Sequence, residues 1–356
     1  MQLQSLGYNQ QFEDWRNENG LADFEIGRVV AEHKERYIVK TATTELDAEI
    51  TGNLRFTARS REDFPAVGDW VALVAYDQEM AIIHRIFPRQ SMLFRKAVDK
   101  AGEIQIIATN IDYALLLQAV DRDFNINRLQ RYLTIANNSK VSPVIILTKT
   151  DLIDNQKTVE ITNSIKKRIS DVPVIGISNE TEAGMEELQK FIIAGKTYCM
   201  LGSSGVGKST LLNKLSGKNL MKTGAISDHT NRGKHITSHR ELTLLENGAI
   251  LIDNPGMREV GIADSSEGLE TTFDEIMEFA GQCKFKDCTH TSETGCAVLK
   301  AVEAGNIDPE SYQNYLKMER EKAHFESSAA ERKKRDKLFG RIMKDYKKKD
   351  IKQRKG

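Results

Sequence analysis

The strongest chemical signal in the sequence is an unbroken match to the phosphate-binding pattern G-x-x-x-x-G-K-[ST]. Its backbone N–H groups would turn towards the phosphates, Lys208 would reach the β and γ phosphates, and Ser209 is placed to ligate Mg²⁺. An apolar run precedes the loop and a helical pattern follows it, which argues against a glycine-rich turn without a ligand. The pattern alone does not separate GTP from ATP. The residues of this predicted phosphate site are Gly202, Ser203, Ser204, Gly205, Val206, Gly207, Lys208 and Ser209, and the helical pattern begins at Thr210.

A second motif has the T-K-x-D form that selects guanine, and it directly follows the apolar run 144–147. Its residues are Thr148, Lys149, Thr150 and Asp151. Asp151 can accept hydrogen bonds from the guanine N1–H and N2 amine, a donor pair that adenine lacks, and Lys149 can lie over the ring. Ligands of open α/β sheets bind at the carboxyl ends of strands, which is where this motif falls. Ser178, after the next apolar run, is a predicted second base contact. An accidental T-K-x-D in an ATP-using enzyme is the alternative.

A third motif, D-x-P-G, begins at Asp253 after the apolar run 250–252. Asp253 can hold Mg²⁺ through water, and the N–H of Gly256 can sense the γ-phosphate. Many GTPases carry a Gln after this glycine to position the attacking water, but this chain has Met257. His235 is the nearest chemically suitable substitute, and we expect slow intrinsic hydrolysis. A solvated loop histidine is the alternative.

The polar stretch 223–240 lies between the phosphate loop and D-x-P-G and has few apolar residues. We interpret it as a mobile switch, in which the hydroxyl of Thr237 contacts Mg²⁺. Ser238 and Thr230 are alternative ligands for that position. A passive surface loop would have the same composition.

The order of the three motifs differs from that of an ordinary GTPase, in which the phosphate loop comes first and the base-reading motif last. Here 148–151 precedes 202–209, and 253–256 follows both. The order predicts a circularly permuted GTPase domain. The permutation places the chain after Gly256 at the C-terminal edge of the domain, directly connected to the phosphate sensor.

Three cysteines and one histidine lie close together near the C-terminal third of the chain. The spacing is C-x₄-C-x-H-x₅-C, formed by Cys283, Cys288, His290 and Cys296. Three thiolates and an imidazole suit tetrahedral Zn²⁺ and leave no position for water, so we predict one structural zinc ion. An accidental cluster of free thiols is the alternative. Cys199 lies alone in an apolar run.

Composition gives a soluble globular profile, with 40% hydrophobic and 29% charged residues in 356. No apolar run is long enough for a membrane span, and the first residues lack the features of a signal peptide, so we expect a cytoplasmic protein without a membrane partner. The formal net charge is zero, but the last 25 residues, 332–356, hold 13 Lys or Arg and 3 Asp. This basic tail is either a contact for a polyanion or a solvated charge run.

The pattern of apolar and polar residues along the chain predicts a multidomain α/β protein. Short β-rich runs indicate an OB-like barrel, which either binds nucleic acid or only packs against its neighbour. Apolar strands alternating with amphipathic helices then predict a parallel sheet with helices on both faces. The predicted divisions are an N-terminal extension (1–23) with Phe12 and Trp15 as anchors, the OB-fold domain (24–92), the permuted GTPase domain (93–277), a zinc-binding domain with helical stretches (278–331) and the basic tail (332–356).

These motifs, in this order and behind a β-barrel, resemble the RsgA (YjeQ) family of small-ribosomal-subunit GTPases. The resemblance extends from the stretch 67–71 to the stretch 283–288. It implies a GTPase that docks on the small subunit late in maturation and whose hydrolysis is stimulated by the ribosome and linked to release. The family's nucleotide-binding and zinc-binding residues fall on the motifs given above. In one departure, Ile236 and Ser238 replace threonines of the family's G-x-H-T-T-T switch.

The sequence therefore predicts a monomeric GTP hydrolase with Mg²⁺ at the nucleotide and one structural Zn²⁺. Its expected partners are GTP, GDP and the small (30S) ribosomal subunit with its 16S rRNA, bound in the GTP state and released on hydrolysis. A rival from another class is an RNA-binding module in which the nucleotide is only a structural ligand.

Overall fold

The computed structural model describes residues 2–33, 36–96, 104–121, 124–217, 241–253 and 266–324, with the backbone alone for residues 95, 96 and 253. Several predicted features lie outside this part of the chain. They are the switch with His235, Thr237 and its alternatives, the turn with Gly256 and Met257, the side chain of Asp253, and the basic tail. Among the described residues, no helix combines the length and apolar character that crossing a membrane requires.

The N-terminal segment packs onto the barrel. A short 3-10 helix (Leu3–Leu6) precedes α1 (Gln10–Glu18), whose first turn is capped by the side chain of Asn9. Phe12 is buried, and its ring lies against Trp70 and Phe87 of the barrel. The ring of Trp15 lies 4.7 Å from that of Phe87. The predicted anchoring role of both aromatic residues is confirmed.

A closed barrel follows, in the order β1-β2-β3-β5-β4 with β4 returning to β1. Only β3 and β5 pair in parallel. Alternating residues of these strands fill one apolar core, which confirms the predicted OB-like barrel. A helix and a 3-10 turn connect β3 to β4. The elements are β1 (Glu25–His33), β2 (Arg36–Thr41), β3 (Glu45–Ile50), α2 (Gly52–Thr57), the 3-10 turn (Arg61–Asp63), β4 (Trp70–Ala75) and β5 (Met80–Ile86).

An antiparallel pair, β6 (Met92–Lys96) and β7 (Ile104–Thr109), forms a separate two-stranded sheet after the barrel. The sequence did not predict this pair. β6 begins at Met92, next to the expected boundary between barrel and GTPase domain. β7 then leads through a sharp turn at Asn110 into the first strand of the large sheet.

The second domain is built on a sheet in the order β10-β9-β8-β11-β13-β12. All neighbouring strands are parallel except β12, which runs antiparallel to β13. The predicted parallel sheet is confirmed. Its elements are β8 (Tyr113–Ala119), α3 (Ile126–Asn138), β9 (Ser142–Thr148), a 3-10 turn (Thr150–Leu152), α4 (Asn155–Arg168), β10 (Val174–Gly176), α5 (Met185–Phe191), β11 (Thr197–Gly202), α6 (Lys208–Ser216), β12 (Glu241–Leu244) and β13 (Ile250–Asp253).

Helices cover both faces of this sheet because successive side chains of a buried strand point to opposite sides. In β8, Leu116 packs in one core with residues of α3 and α4. Its neighbours Leu115 and Leu117 pack in a second core with residues of α5 and α6. This arrangement gives the doubly wound architecture that the uninterrupted apolar runs predict.

The C-terminal segment contains α7 (Ser266–Thr272), α8 (Asp274–Ala280), α9 (Ala297–Glu303) and a further helical stretch at 309–324. One apolar core joins all four, including Leu269 of α7, Val298 of α9 and Tyr315. The core therefore lies on both sides of the expected boundary at 277/278. Gly268 of α7 lies directly against the backbone of α3.

Candidate functional site

The phosphate loop connects β11 to α6 at the carboxyl edge of the sheet. Gly202 must be a glycine, because a Cβ there would lie 2.7 Å from the carbonyl oxygen of Leu117 in β8. Gly207 has a φ of +94° and is the residue before α6, so the loop turns into the helix through a conformation that favours glycine. The Nζ of Lys208 donates to the carbonyls of Gly202 (2.7 Å) and Ser203 (2.5 Å), which holds the ammonium group inside the loop.

The T-K-x-D motif lies against this loop. The hydroxyl of Thr148, a buried residue at the end of β9, donates to the carbonyl of Val206 at 2.7 Å. From the end of β10, the side-chain amide of Asn179 approaches the carbonyl of Gly207 at 3.4 Å. Stretches about 30 and 58 residues away along the chain thus meet one loop. The structure brings the predicted base-reading and phosphate-binding residues together.

The two charged side chains of the motif are held in fixed positions. Lys149 has a φ of +62°, and its Nζ pairs with the carboxylate of Asp121 at 2.8 Å. The buried hydroxyl of Ser178 donates to Asp151 at 2.5 Å and accepts from the backbone N–H groups of residues 180 and 181. Asp151 itself is exposed, so its second oxygen is accessible to a base. The two predicted base contacts, Asp151 and Ser178, thus touch each other, while guanine binding by either residue stays a prediction.

Two residues of this site were missed by the sequence reasoning. Asp121 ends the apolar run of β8, so the strand-end rule that selected Asp151 could have found it. Tyr132 of α3 places its hydroxyl 3.4 Å from that of Ser203. No sequence signal marks Tyr132, because its helical spacing is that of an ordinary core residue, and it is indeed buried.

The predicted magnesium ligands are only partly within the described residues. Ser209 lies in the first turn of α6, half-buried at the mouth of the loop. The backbone of Asp253 ends β13, two strands from β8 across β11, so this residue also reaches the carboxyl edge. Hydroxyl and carboxylate oxygens are suitable Mg²⁺ ligands, and both belong to the edge that carries the phosphate loop.

The predicted zinc ligands converge in the C-terminal segment, where their four ligand atoms lie within 4.8 Å of one another. The Sγ atoms of Cys283 and Cys296 are 3.9 Å apart, and each is 3.6 Å from Nδ1 of His290. With Zn–S bonds of about 2.3 Å, two sulfurs of a regular tetrahedron are separated by about 3.8 Å. The donor set and its spacing therefore fit a four-coordinate zinc ion, and the cluster can hold a metal.

The surroundings of the cluster orient its ligands. Backbone N–H groups of residues 297 and 299 point at the sulfurs of Cys283 (3.3 Å) and Cys296 (3.4 Å) and fix the positions of both ligands. Tyr312 donates to the carbonyl of His290 at 2.6 Å. Burial lowers the pKa of His290, so its imidazole is neutral at pH 7, as a metal ligand must be.

A half-buried carboxylate organises the loop between the ligands. Glu293 accepts hydrogen bonds from the backbone N–H groups of Thr289, Thr291 and Ser292. These bonds, with that from the Thr289 hydroxyl as the largest cause, lower the pKa of Glu293 far below its usual range. The side chain of Glu293 therefore closes the loop that carries His290.

The fourth cysteine, Cys199, lies in β11, apart from this cluster. Burial raises the pKa of Cys199 to about 12, which keeps that thiol protonated and inert.

Comparison with protein families gives a match to the model of the RsgA GTPase over residues 86–263. A model of the ABC transporter matches residues 186–353. That stretch includes the phosphate loop, a pattern shared by many nucleotide-binding families, but not the T-K-x-D motif at 148–151. The second match is thus explained by the loop alone.

Relatives match nearly the whole chain. The small ribosomal subunit biogenesis GTPase RsgA 2 of Lactiplantibacillus plantarum is 44% identical over 92% of this chain and 91% of its own length. The small ribosomal subunit biogenesis GTPase RsgA of Opitutus terrae is 38% identical over 91% of this chain and 90% of its own length. That from Methanosarcina acetivorans is 39% identical over 91% and 88%, respectively.

Two solved structures share the fold. YjeQ from Thermotoga maritima aligns with a TM-score of 0.62 and 26% identity over 83% of this chain and 96% of that one. YloQ, described as a circularly permuted GTPase, aligns with a TM-score of 0.59 and 25% identity over 87% and 96%. With the motif order, the barrel and the Cys₃His cluster already in place, these matches show that the chain belongs to the RsgA family of circularly permuted GTPases.

Proposed function

We propose that this protein is a GTP hydrolase that acts in the late maturation of the small (30S) ribosomal subunit. The observation that carries the proposal is the hydrogen bond from Thr148 to Val206, because it fixes the guanine motif against the phosphate loop. Family membership supports the reaction, and the names of the relatives support the biological setting. We further propose the domain divisions predicted from the sequence at 23/24, 92/93 and 331/332. In place of the predicted division at 277/278 we propose one before α7, because the apolar core that joins α7, α8 and α9 crosses that position.

In the proposed site, Asp151 selects guanine, and Ser178 holds the Asp151 carboxylate in place. The side chain of Lys149 lies over the guanine ring. The amides of Gly202 to Ser209, with that of Thr210, and the ammonium of Lys208 stabilise the phosphate charge. Ser209, Asp253 and Thr237 would hold Mg²⁺, which would supply positive charge beside the β and γ phosphates. Gly256 reports the presence of the γ-phosphate through its N–H.

Hydrolysis requires a group that orients the attacking water. We assign this role to His235, since Met257 cannot perform it. A single histidine gives slow turnover alone. Docking on the subunit positions this group and raises the rate by roughly 10³ to 10⁵, the range seen when a partner completes a phosphoryl-transfer site.

The Cys₃His cluster serves structure and not catalysis. Cys283, Cys288, His290 and Cys296 would hold one zinc ion with four protein ligands, which leaves no coordination position for a substrate. The ion would stabilise the loop 283–296, whose own residues bury little apolar surface.

In the proposed cycle, a monomer in the GTP state binds 16S rRNA on the subunit through the barrel, the C-terminal segment and the basic tail. Hydrolysis to GDP releases the protein. This cycle takes place in the cytoplasm, where ribosomal subunits mature.

Sedimentation of the protein with small subunits in GDP and in a non-hydrolysable GTP analogue tests the cycle. We expect co-sedimentation with the analogue and its loss with GDP. Hydrolysis measured with and without subunits is the companion assay. Equal sedimentation in both nucleotides, together with equal turnover, would refute the coupling.

The substitution Lys208→Ala distinguishes this function from that of an RNA-binding module with a structural nucleotide. We expect loss of turnover and of nucleotide-dependent release. Lys214→Ala is the matched control, because Lys214 lies in the same helix and pairs at the surface with Glu182. Normal release in the Lys208 variant would favour the RNA-binding module. Competition of labelled GTP by excess ATP tests base selection.

A further inference from the structure

The face of the barrel that OB-folds commonly use for nucleic acids is electrostatically neutralised in this chain. That face is formed by β2 and β3. Here Arg36 pairs with Glu49 at 3.4 Å, and Lys40 approaches Glu45 at 4.0 Å. Each cation on these strands thus faces an acidic neighbour, so the face offers little net attraction to a polyanion.

The β4–β5 turn, which borders the same face, carries acidic residues. Asp77 and Glu79 are exposed, next to the exposed aromatic residue Tyr76. Two carboxylates at the tip of a turn repel phosphate. Neither this face nor this turn therefore attracts RNA electrostatically.

The connection between β3 and β4 has the opposite character. Phe56 of α2 is 90% exposed, the highest value among the large apolar side chains of the described residues. Arg55 and Arg59 are exposed beside it, and the stretch 52–61 contains no Asp or Glu. An exposed aromatic ring among arginines is the arrangement that stacks an unpaired base and contacts its phosphates.

A groove of about 750 Å³ runs beside this helix. Asn53 and Thr57, one turn apart on α2, line it. Phe56 is not a lining residue, but it lies three residues from Asn53 and so next to it on the helix surface. The end of β5 supplies His84 and Arg85 on the other side. The volume suits a small ligand such as a nucleotide, and the lining offers both ring surfaces and hydrogen-bond donors.

Two acidic residues, Glu62 and Asp63, also line the groove. The carboxylate of Asp63 accepts hydrogen bonds from the backbone N–H groups of Arg59 and Ser60, which lowers the pKa of Asp63 and keeps it charged. Arg89, another lining residue, donates to Asp69 in a pair that is neutral as a unit. Arg55, Arg59 and Arg85 are exposed, so basic side chains outnumber the two carboxylates around the groove.

We propose that α2 and the adjoining groove bind an unpaired segment of single-stranded RNA, with Phe56 stacking on a base and Arg55, Arg59 and Arg85 contacting phosphates. The proposal deepens the proposed function, on which it rests for the identity of the RNA as ribosomal. It assigns the barrel's RNA contact to the β3–β4 connection, away from the β2–β3 face.

Binding of a 12-nucleotide oligouridylate to the full chain tests the site directly. Loss of one stacked base weakens binding by roughly tenfold, so we expect Phe56→Ala to raise the Kd by about that factor and Arg85→Gln to reduce its salt dependence. Tyr76→Ala is the matched control, since it removes an exposed aromatic ring from the acidic turn of the same barrel. Phe56→Trp should keep the affinity, and its fluorescence should fall on binding, relative to a wild-type titration that accounts for Trp15 and Trp70.

The same variants separate this proposal from the proposed function. If wild-type protein binds subunits in a GTP-dependent way while Phe56→Ala and Arg85→Gln bind the oligonucleotide unchanged, the RNA site on α2 is refuted and the cycle stands. An equal loss of oligonucleotide affinity in Tyr76→Ala and Phe56→Ala would also refute the RNA site on α2. A Phe56→Ala variant that keeps full oligonucleotide affinity but loses subunit binding would identify α2 as a protein contact instead.

Discussion

Two arginines join the GTPase domain to its neighbours, and they do so in different ways. Arg28 lies where the barrel, the N-terminal segment and the sheet meet, and Arg168 lies where the C-terminal segment rests on the sheet's helices. Arg28 is 1% exposed, while the side chain of Arg168 is 7% exposed and its acidic partners reach water. The two junctions therefore differ in how much an arginine contributes to holding them.

Arg28 donates to acceptors from three parts of the chain. Its guanidinium bonds the carbonyls of Leu6 (2.6 Å), Gly68 (3.1 Å) and Asn110 (2.9 Å) and the hydroxyl of Thr197 (2.9 Å). No carboxylate is among these partners. Burial lowers the pKa of Arg28 to about 10, so the group is still protonated at pH 7. Removing it would leave several buried acceptors without a donor.

Arg168, at the end of α4, has charged partners at the surface. It donates to Glu310 at 3.2 Å and lies 3.6 Å from Asp308, whose side chains are 79% and 34% exposed. It also donates to Gln130 of α3 at 2.9 Å. Water can replace the guanidinium at the carboxylates, so this pair contributes less. Arg28 therefore contributes more to the attachment of the barrel to the sheet than Arg168 contributes to the attachment of the C-terminal segment.

Metal removal should have the largest effect, and only on the C-terminal side. Structural zinc contributes on the order of 10 kcal/mol in small domains, so chelation should unfold the loop 283–296. Hydrogen exchange should rise in 266–324 and stay unchanged in the barrel. Cys288→Ser should lose zinc, while Cys199→Ala, the control, should retain one equivalent by metal analysis. Faster exchange in the barrel would show that the two junctions are not independent.

Arg28→Met tests the rigid junction. We expect the free energy of unfolding to fall by about 3 kcal/mol, because buried carbonyls lose their donor and an apolar chain cannot replace it. Urea denaturation provides the measurement. A loss below about 1 kcal/mol would mean that water satisfies these acceptors, and the Arg28 junction would then resemble the Arg168 junction.

Gly268→Val tests the close approach of α7 to α3. A Cβ at this position would lie 2.4 Å from the carbonyl oxygen of Thr134, so we expect a loss of about 2 kcal/mol from overpacking. Gly281→Ala is the control, with its nearest atom at 3.8 Å. Urea denaturation measures the loss of stability, and hydrogen exchange of the α7 backbone amides shows whether it is local. Unchanged exchange of α7 would contradict the contact.

Arg168→Met should have the smallest effect and sharpens the comparison. Because its acidic partners are accessible to water, we expect a loss of about 1 kcal/mol in urea unfolding, mostly suppressed in high salt. A loss equal to that of Arg28→Met would show that exposure of the partners does not decide the strength of these junctions.

The sequence was sufficient for the features that depend on local pattern. Uninterrupted apolar runs predict the parallel strands, and strand-end motifs predict that the T-K-x-D motif with Thr148 lies against the phosphate loop. The metal cluster followed from donor type and spacing, and its ligand atoms do converge.

The features that depend on distant packing could not be predicted. Arg28 reads as one polar residue in a β-rich run, and its burial results from the N-terminal segment and β11 closing over it. The pairing of β6 with β7 depends on a register that no local signal specifies. The contact of Tyr132 with Ser203 is likewise invisible, since periodicity identifies only the buried face of α3.

Among the described residues, a backbone bridge between Ala31 of β1 and Glu241 of β12 joins the barrel to the large sheet. Glu241 is also the register partner of Asp253, the last residue of β13. One residue of β12 therefore lies between the barrel and the strand end that carries the D-x-P-G motif. A displacement of β1 by a partner bound to the barrel would be passed through this residue to the nucleotide edge of the sheet.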